Sequence, residues 1–294
     1  MNHTAQALAD LIVHCHADKG AGPALAAQAH IDRSAVAVSA ALDLALPALG
    51  FEPHDAAILK SAWLRQSQRL GGFEANRWPS NVLDFGLHAH PLPFPPCPKN
   101  LGLYAVLPSA DWVARMAAVG VPTLQLRFKS DDRRAIEREV IAAVRAVQGS
   151  TSLLFINDHW ASAIEHGAYG VHLGQEDLRI APIERLRMSG VRLGLSTHGY
   201  AEMLRADAIG PSYLALGAVF PTTLKRMATP PQGLGRLQAY AQLMAHRPLV
   251  GIGGIDASRF ADVRACGVGS VAVVRAIVGD AQAEQAALKL MAAW

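Results

Sequence analysis

Short apolar runs recur along the C-terminal part of the chain, at residues 101–107, 123–128, 152–156, 170–173, 192–196, 213–220, 249–255 and 270–277. The stretches between them, such as 132–147, 234–245 and 281–292, space their apolar residues as a helix does. Strands alternating with helices predict an α/β fold with a parallel sheet and crossover connections. Eight such units within residues 101–294 predict a closed (β/α)8 TIM barrel. A doubly wound open sheet is the runner-up, disfavoured because Gly-x-Gly-x-x-Gly does not follow the first run.

The first 87 residues have a different texture. They are rich in Ala and Leu, follow a helical period and carry almost no strand signal. Residues 35–49, interrupted by Asp43 and Pro47, read as a core helix. Residues 55–69 place Ile58, Leu59, Ala62 and Trp63 on one face, with Arg65 and Gln66 beyond, as in an amphipathic helix. Between the two textures, residues 88–100 hold prolines at 91, 93, 95, 96 and 98, a composition that favours extended structure and forbids helix. The expected organisation is therefore a small helical region (1–87), a Pro-rich linker (88–100) and a barrel (101–294). A chain starting near Pro98 is expected to keep the barrel's activity if it stays soluble.

Composition narrows the class. With 51% hydrophobic and 17% charged residues, the chain has a sizeable core and is not a disordered protein. A formal charge of +3, with dispersed arginines, lacks the dense basic stripe of a nucleic-acid binder. Neither a signal peptide nor an 18-residue apolar span is evident, so no membrane partner is expected. Cys15, Cys97 and Cys266 form no CxxC pair and leave an odd count, which suits a reducing cytoplasm. His14-Cys15-His16 is not expected to bind metal, because adjacent helical residues point apart.

In a barrel, chemistry gathers where the strands end. Alternation along the second run puts Gln125, Arg127 and Lys129 on one face, where two cations are costly to bury unless they meet an anion. Asn157-Asp158 ends the third run, and Asp177 follows the fourth. Two carboxylates at neighbouring strand ends can share Mg²⁺ completed by waters and substrate phosphates; the plainer reading is that they cap the following helices. Ser196 ends the fifth run, Thr222-Thr223-Leu224-Lys225 the sixth, and Gly251-Ile252-Gly253-Gly254 the seventh, where bare amides suit a phosphate. Such a mouth fits a diphosphate with Mg²⁺ beside a second, monophosphate site.

These residues, in this order, resemble thiamine-phosphate synthase over residues 101–277. The likeness rests on Gln-x-Arg-x-Lys at 125–129, Asn157-Asp158, the run from Gly170 to Asp177, Gly194 to His198, Pro221 to Lys225, and Gly251 to Ile255. The resemblance implies joining an aminopyrimidine methyl diphosphate to a thiazole phosphate, giving thiamine phosphate and pyrophosphate by a dissociative reaction. It implies that Gln125, Arg127, Lys129, Asn157, Ser196 and Lys225 hold the pyrimidine diphosphate, with Arg127, Lys129, Ser196 and Lys225 serving catalysis. Asp158 and Asp177 would hold Mg²⁺. Thr222, Thr223, Leu224, Gly254, Val274 and Arg275 would line the thiazole-phosphate side.

The chain departs from the family pattern where Leu224 replaces a threonine, where Arg275 replaces a serine, and at Leu107-Pro108-Ser109. Two alternatives stand beside the synthase. A thiazole tautomerase would need an acid–base pair, with His198 as candidate, and a precursor-binding regulator would need no catalysis. Residues 34–71 faintly resemble the last helices of a hydroxymethylpyrimidine phosphate kinase. His30 to Ser34 stand where that kinase has its Gly-rich loop, which implies a remnant without kinase activity. A homo-oligomer is compatible with all of these readings.

Overall fold

The computed structural model describes residues 3–19, 34–222 and 229–294. Among the described residues three α-helices come first: α1 (His3–Cys15), α2 (Ala35–Ala48) and α3 (Pro53–Leu70). Ser34 accepts from the Ala37 amide to start α2, and Gly71, at φ 75°, ends α3 in the left-handed conformation that glycine adopts readily. The buried face of α3 is Leu59, Ala62, Trp63 and Gln66. Gln66 thus lies inside the helix face and not beyond it, because its amide reaches the Arg77 carbonyl at 2.8 Å. His16 is likewise buried and bonded to the Ala75 carbonyl at 2.9 Å. Burial pushes its imidazole below the usual value.

Eight parallel strands then close a barrel in sequence order: β1 (Gly102–Leu107), β2 (Thr123–Leu126), β3 (Leu153–Asn157), β4 (Gly170–Leu173), β5 (Arg192–Thr197), β6 (Tyr213–Leu216), β7 (Leu249–Ile252) and β8 (Ser270–Val273). The register pairs Tyr104 with Thr123 on one side and with Ala272 on the other. Helices α4 (Ala110–Ala118), α5 (Arg133–Ala146) and α6 (Trp160–Glu165) follow the first three strands. β4 is followed by α7 (Gln175–Leu178) and α8 (Ile183–Met188), β5 by α9 (Tyr200–Asp207), and β6 by α10 (Gly233–Leu243). After β7 comes α11 (Phe260–Ala265), and after β8 come α12 (Arg275–Val278) and α13 (Ala283–Ala292). The predicted (β/α)8 barrel with a helical region before it is the observed fold.

Four apolar runs extend beyond their strands, the run at 123–128 because β2 stops at Leu126. After β6 the chain leaves the sheet, and the Val219 and Phe220 amides donate to the Ile252 and Gly253 carbonyls. β7 stops before Gly253 and Gly254, whose φ values of 107° and 65° break an extended strand. β8 stops at Val273, so Arg275 opens a short helix instead of ending a strand. An apolar run reports burial, which continues through Val219 after β6 and returns at Ile255 and Ile277 after β7 and β8.

Large rings fill the barrel interior. Phe155 and Tyr213 pack edge to face at 5.1 Å, and the Tyr104 and Tyr213 hydroxyls meet at 2.7 Å. Gly194 makes room for Tyr213, since a Cβ there would lie 2.0 Å from the ring.

The Pro-rich stretch runs against the end of the barrel opposite the site. The Phe94 amide donates to the Gly210 carbonyl, the Ser212 hydroxyl to Pro95, and the Arg192 guanidinium to Pro96. Proline has no N–H to offer, but its carbonyls accept freely, and here they satisfy side chains at the start of β5 and just before β6. Cys97, within this stretch, is buried, and burial raises its thiol to about 12.

One hydrophobic core runs from Leu8, Leu42 and Trp63 into Tyr200, Leu237 and Tyr240 of the barrel helices. Trp78 donates to the Tyr200 hydroxyl at 2.9 Å, and Phe85 stacks on the Tyr200 ring at 5.4 Å.

Candidate active site

A cavity of about 620 Å³ opens at the C-terminal ends of the strands. From β2 and the residues after it come Gln125, Arg127 and Lys129, on one face as alternation requires. Gln125 is buried while Lys129 reaches solvent. Asn157 and Asp158 enter from the end of β3, and Asp177 from the first turn of α7. Ser196 comes from β5 and Thr222 from the segment after β6. Gly254, Val274 and Arg275 close the opposite wall. Thr223, Leu224 and Lys225 lie outside the described residues, as do His30 to Arg33.

The charged centre is Lys129 with the two aspartates. Lys129 Nζ sits 2.5 Å from Asp158 Oδ2. Burial pushes the Asp158 carboxyl up, but the hydrogen bond and charge of Lys129 outweigh it, and the group stays below its usual range. Asp177 moves the other way: burial first, then the negative charge of Asp158, raise it. Two carboxylates this close destabilise each other's ionised form, and a divalent cation relieves that repulsion. Hard oxygen donors from adjacent strand ends are also what Mg²⁺ takes. The residues present therefore fit this ion. Asp158 adopts φ 63°, a left-handed conformation uncommon outside glycine and short polar residues. Its amide donates to the His172 carbonyl, which pins the strained residue to β4.

The helix-capping reading holds for one aspartate. Asp177 Oδ2 accepts from the Gly174 amide at 3.2 Å and so fastens the start of α7. Asp158 turns to Lys129 instead, and His159 occupies the cap position of α6.

His172, Arg259 and Asp256 also line the cavity but escaped assignment from the sequence. His172 bonds Ser196 Oγ through Nε2 at 2.8 Å and the Tyr213 hydroxyl through Nδ1 at 2.6 Å. Ser196 is thus tied to the aromatic interior of the barrel. Strand alternation from Gly170 could have flagged His172 as inward-facing. Arg259 donates to the Gly254 carbonyl at 2.9 Å and lies over Phe220 at 4.6 Å. Its signal was its place just after the Gly-rich turn. His198 lines the mouth too, with Nδ1 held by Glu202 at 2.6 Å.

A glycine at 254 is required by close approach, because a Cβ there would lie 2.5 Å from the Pro221 carbonyl. The β7 turn therefore packs directly on the segment after β6 and leaves main-chain groups at the cavity wall.

A closed (β/α)8 barrel with cations, a carboxylate pair and a glycine turn at its mouth defines a barrel enzyme acting on small phosphorylated molecules. The comparisons sharpen this. The family model described as thiamine monophosphate synthase matches residues 103–277, and the chain belongs to that family. It is 49% identical over 201 residues to the thiamine-phosphate synthase of Neisseria meningitidis serogroup B, covering 68% of this chain and 98% of that protein. It is 46% identical over 198 residues to the thiamine-phosphate synthase of Proteus mirabilis, covering 67% and 92%. Among solved structures, the thiamine phosphate pyrophosphorylase of Pyrococcus furiosus matches with TM-score 0.59 and 28% identity, covering 66% of this chain and 96% of that one. The matched share leaves a part of the chain as large as the N-terminal region without a counterpart in these relatives. Among the described residues, no helix is long and apolar enough to cross a membrane.

Proposed function

We propose that this protein transfers the aminopyrimidine methyl group from its diphosphate ester to the nitrogen of a thiazole phosphate, forming thiamine phosphate and releasing pyrophosphate. The observation that carries this reading is the gathering of Arg127, Lys129, Asp158 and Asp177 at one wall of the cavity, in a chain whose relatives are named for this product. A tautomerase would have no use for that set. His198 and Glu202 form a bonded pair, but they stand across a mouth whose remaining charges suit a leaving diphosphate.

The bond to break joins the pyrimidine methylene carbon to the diphosphate oxygen. Its electron pair leaves with pyrophosphate, and the aminopyrimidine ring stabilises the resulting cation by resonance. The thiazole nitrogen then supplies the pair that forms the new C–N bond. No protein nucleophile is needed. Arg127 and Lys129 stabilise negative charge on the departing oxygens, as preorganised cations do most effectively in a partly enclosed site. Gln125, Asn157 and Ser196 orient the pyrimidine diphosphate, with Ser196 held by His172. Lys225, in the segment after β6, adds a further cation to the diphosphate. Thr222, Thr223, Leu224, the Gly254 amide and the Val274–Arg275 backbone receive the thiazole phosphate. Asp158 and Asp177 would hold Mg²⁺, which supplies charge neutralisation to the leaving diphosphate.

The test is direct. Purified protein incubated with both substrates and Mg²⁺ should form thiamine phosphate and pyrophosphate in equal amounts. Product formation that persists after chelation would remove the metal from the reading. Absence of product with both substrates bound would overturn the function.

A further inference from the structure

Helix α9 begins at Tyr200 directly after the β5 loop, and its cap position is Gly199, which has no side chain to offer. The first amides of a helix lack partners within it and need an acceptor. The acceptor comes from 145 residues away. Asp55, in the first turn of α3, takes the Tyr200 amide at 3.0 Å and the Ala201 amide at 2.8 Å. The fit is mutual: a Cβ on Gly199 would lie 2.1 Å from Asp55 Oδ2, and the three nearest atoms all belong to Asp55.

What this cap holds faces the cavity. The first turn of α9 carries Glu202, whose carboxylate accepts from the His198 amide at 3.0 Å and pairs with His198 Nδ1. His198, Thr197 and Ser196 form the β5 wall of the cavity. A second tie lies alongside. Arg236 of α10 donates to the Leu49 and Gly50 carbonyls and stacks on Phe51 at 4.0 Å.

We propose that Asp55 is a positioning residue for the reaction: the N-terminal region caps α9 in trans, and through Glu202 and His198 it sets the β5 wall that carries Ser196. This rests on the reading of the mouth as the active site of a synthase. The N-terminal region is then a working part of the enzyme.

The experiment uses the full chain, with steady-state kinetics in each substrate. If the wild-type chain forms no thiamine phosphate, the functional reading fails. With an active wild type, only the variants judge the cap. Asp55→Ala is expected to raise the KM for the pyrimidine diphosphate and lower kcat by roughly tenfold, since misplacement of a binding wall is costly. The KM for thiazole phosphate, which is received after β6 and at the ends of β7 and β8 and not by Ser196, should change by less than about twofold. Amide exchange at residues 200–202 should speed up in parallel.

The decisive variant is Asp55→Ala with Gly199→Ser. Gly199 has φ 171°, an extended conformation open to any residue, and without the Asp55 carboxylate its Cβ has room. A serine hydroxyl there caps α9 in cis and should restore kcat and the pyrimidine KM to within about threefold of wild type. If Asp55→Ala fails to fold, Asp55→Asn keeps one acceptor oxygen and should show the same one-sided KM change at smaller size. Wild-type kinetics in the single variant, an equal loss for both substrates, or no rescue by Gly199→Ser overturns the proposal.

Discussion

Two walls of the cavity, β2–β4 and β5–β6, are built by different means. On the β2–β4 wall, strand register places Gln125 and Asn157, and Arg127, Lys129 and Asp158 follow just beyond the strand ends. The β5–β6 wall depends on more than the barrel. Its helices α9 and α10 are held by Asp55, Trp78 and the backbone of Leu49 and Gly50, all from the N-terminal region. The barrel's ladder runs through both walls, and on the β5–β6 side an added segment also holds the helices behind it. The family model matches residues 103–277, within the barrel, so the N-terminal segments that hold α9 and α10 lie outside the matched residues.

The largest effects should come from the β2–β4 wall. Arg127→Ala or Lys129→Ala is expected to lower kcat by a hundredfold or more, on the order of the loss of one transition-state charge contact; stopped-flow pyrophosphate release measures it. Asp158→Asn and Asp177→Asn come next, with turnover falling by about tenfold or more at limiting Mg²⁺ and recovering in part at high Mg²⁺. Wild-type Mg²⁺ dependence in both variants would remove the carboxylate pair from the metal site.

Deletion of the N-terminal region is the sharpest way to break the comparison. A chain starting near Pro98 loses the cap on α9 and exposes the Tyr200 and Tyr240 faces, which are buried in the intact protein. It is therefore expected to lose solubility, or roughly tenfold or more in kcat/KM. The sequence alone favoured retention of activity, and a soluble truncation with intact kinetics would restore that view. The smallest effect should lie on the β7–β8 side. Arg275→Ser is expected to raise the thiazole-phosphate KM by about tenfold, the low end for one charge-assisted contact because the side chain is exposed, while sparing the pyrimidine diphosphate. Equal change in both would show that Arg275 serves another role.

Much of this was legible in the chain because the signals are local. The run at 170–173 coincides with β4, and the helical pattern at 132–147 spans α5 with its caps Asp132 and Val147. Side-chain alternation follows from strand geometry, so the sequence by itself places Gln125, Arg127 and Lys129 on one face. Motif order did the rest, bringing Asp158, Asp177 and Ser196 to the strand ends of a barrel whose mouth they share.

What the sequence could not carry was pairing between distant segments. Asp55 reads as an ordinary acidic residue in a first helical turn, and Gly199 as an ordinary loop glycine. Only packing shows that one caps the other's helix. The Pro-rich stretch read as a spacer because composition records the missing N–H and is silent about carbonyl acceptors; the fold presents those carbonyls to Arg192 and Ser212. Gln66 was placed off the buried face because its own bonding partner, the Arg77 carbonyl, comes from the loop beyond the helix. Periodicity determined the elements and the chemistry at their ends. Tertiary structure decided which element holds another in place, since a hydrogen bond formed across 145 residues leaves no period along the chain.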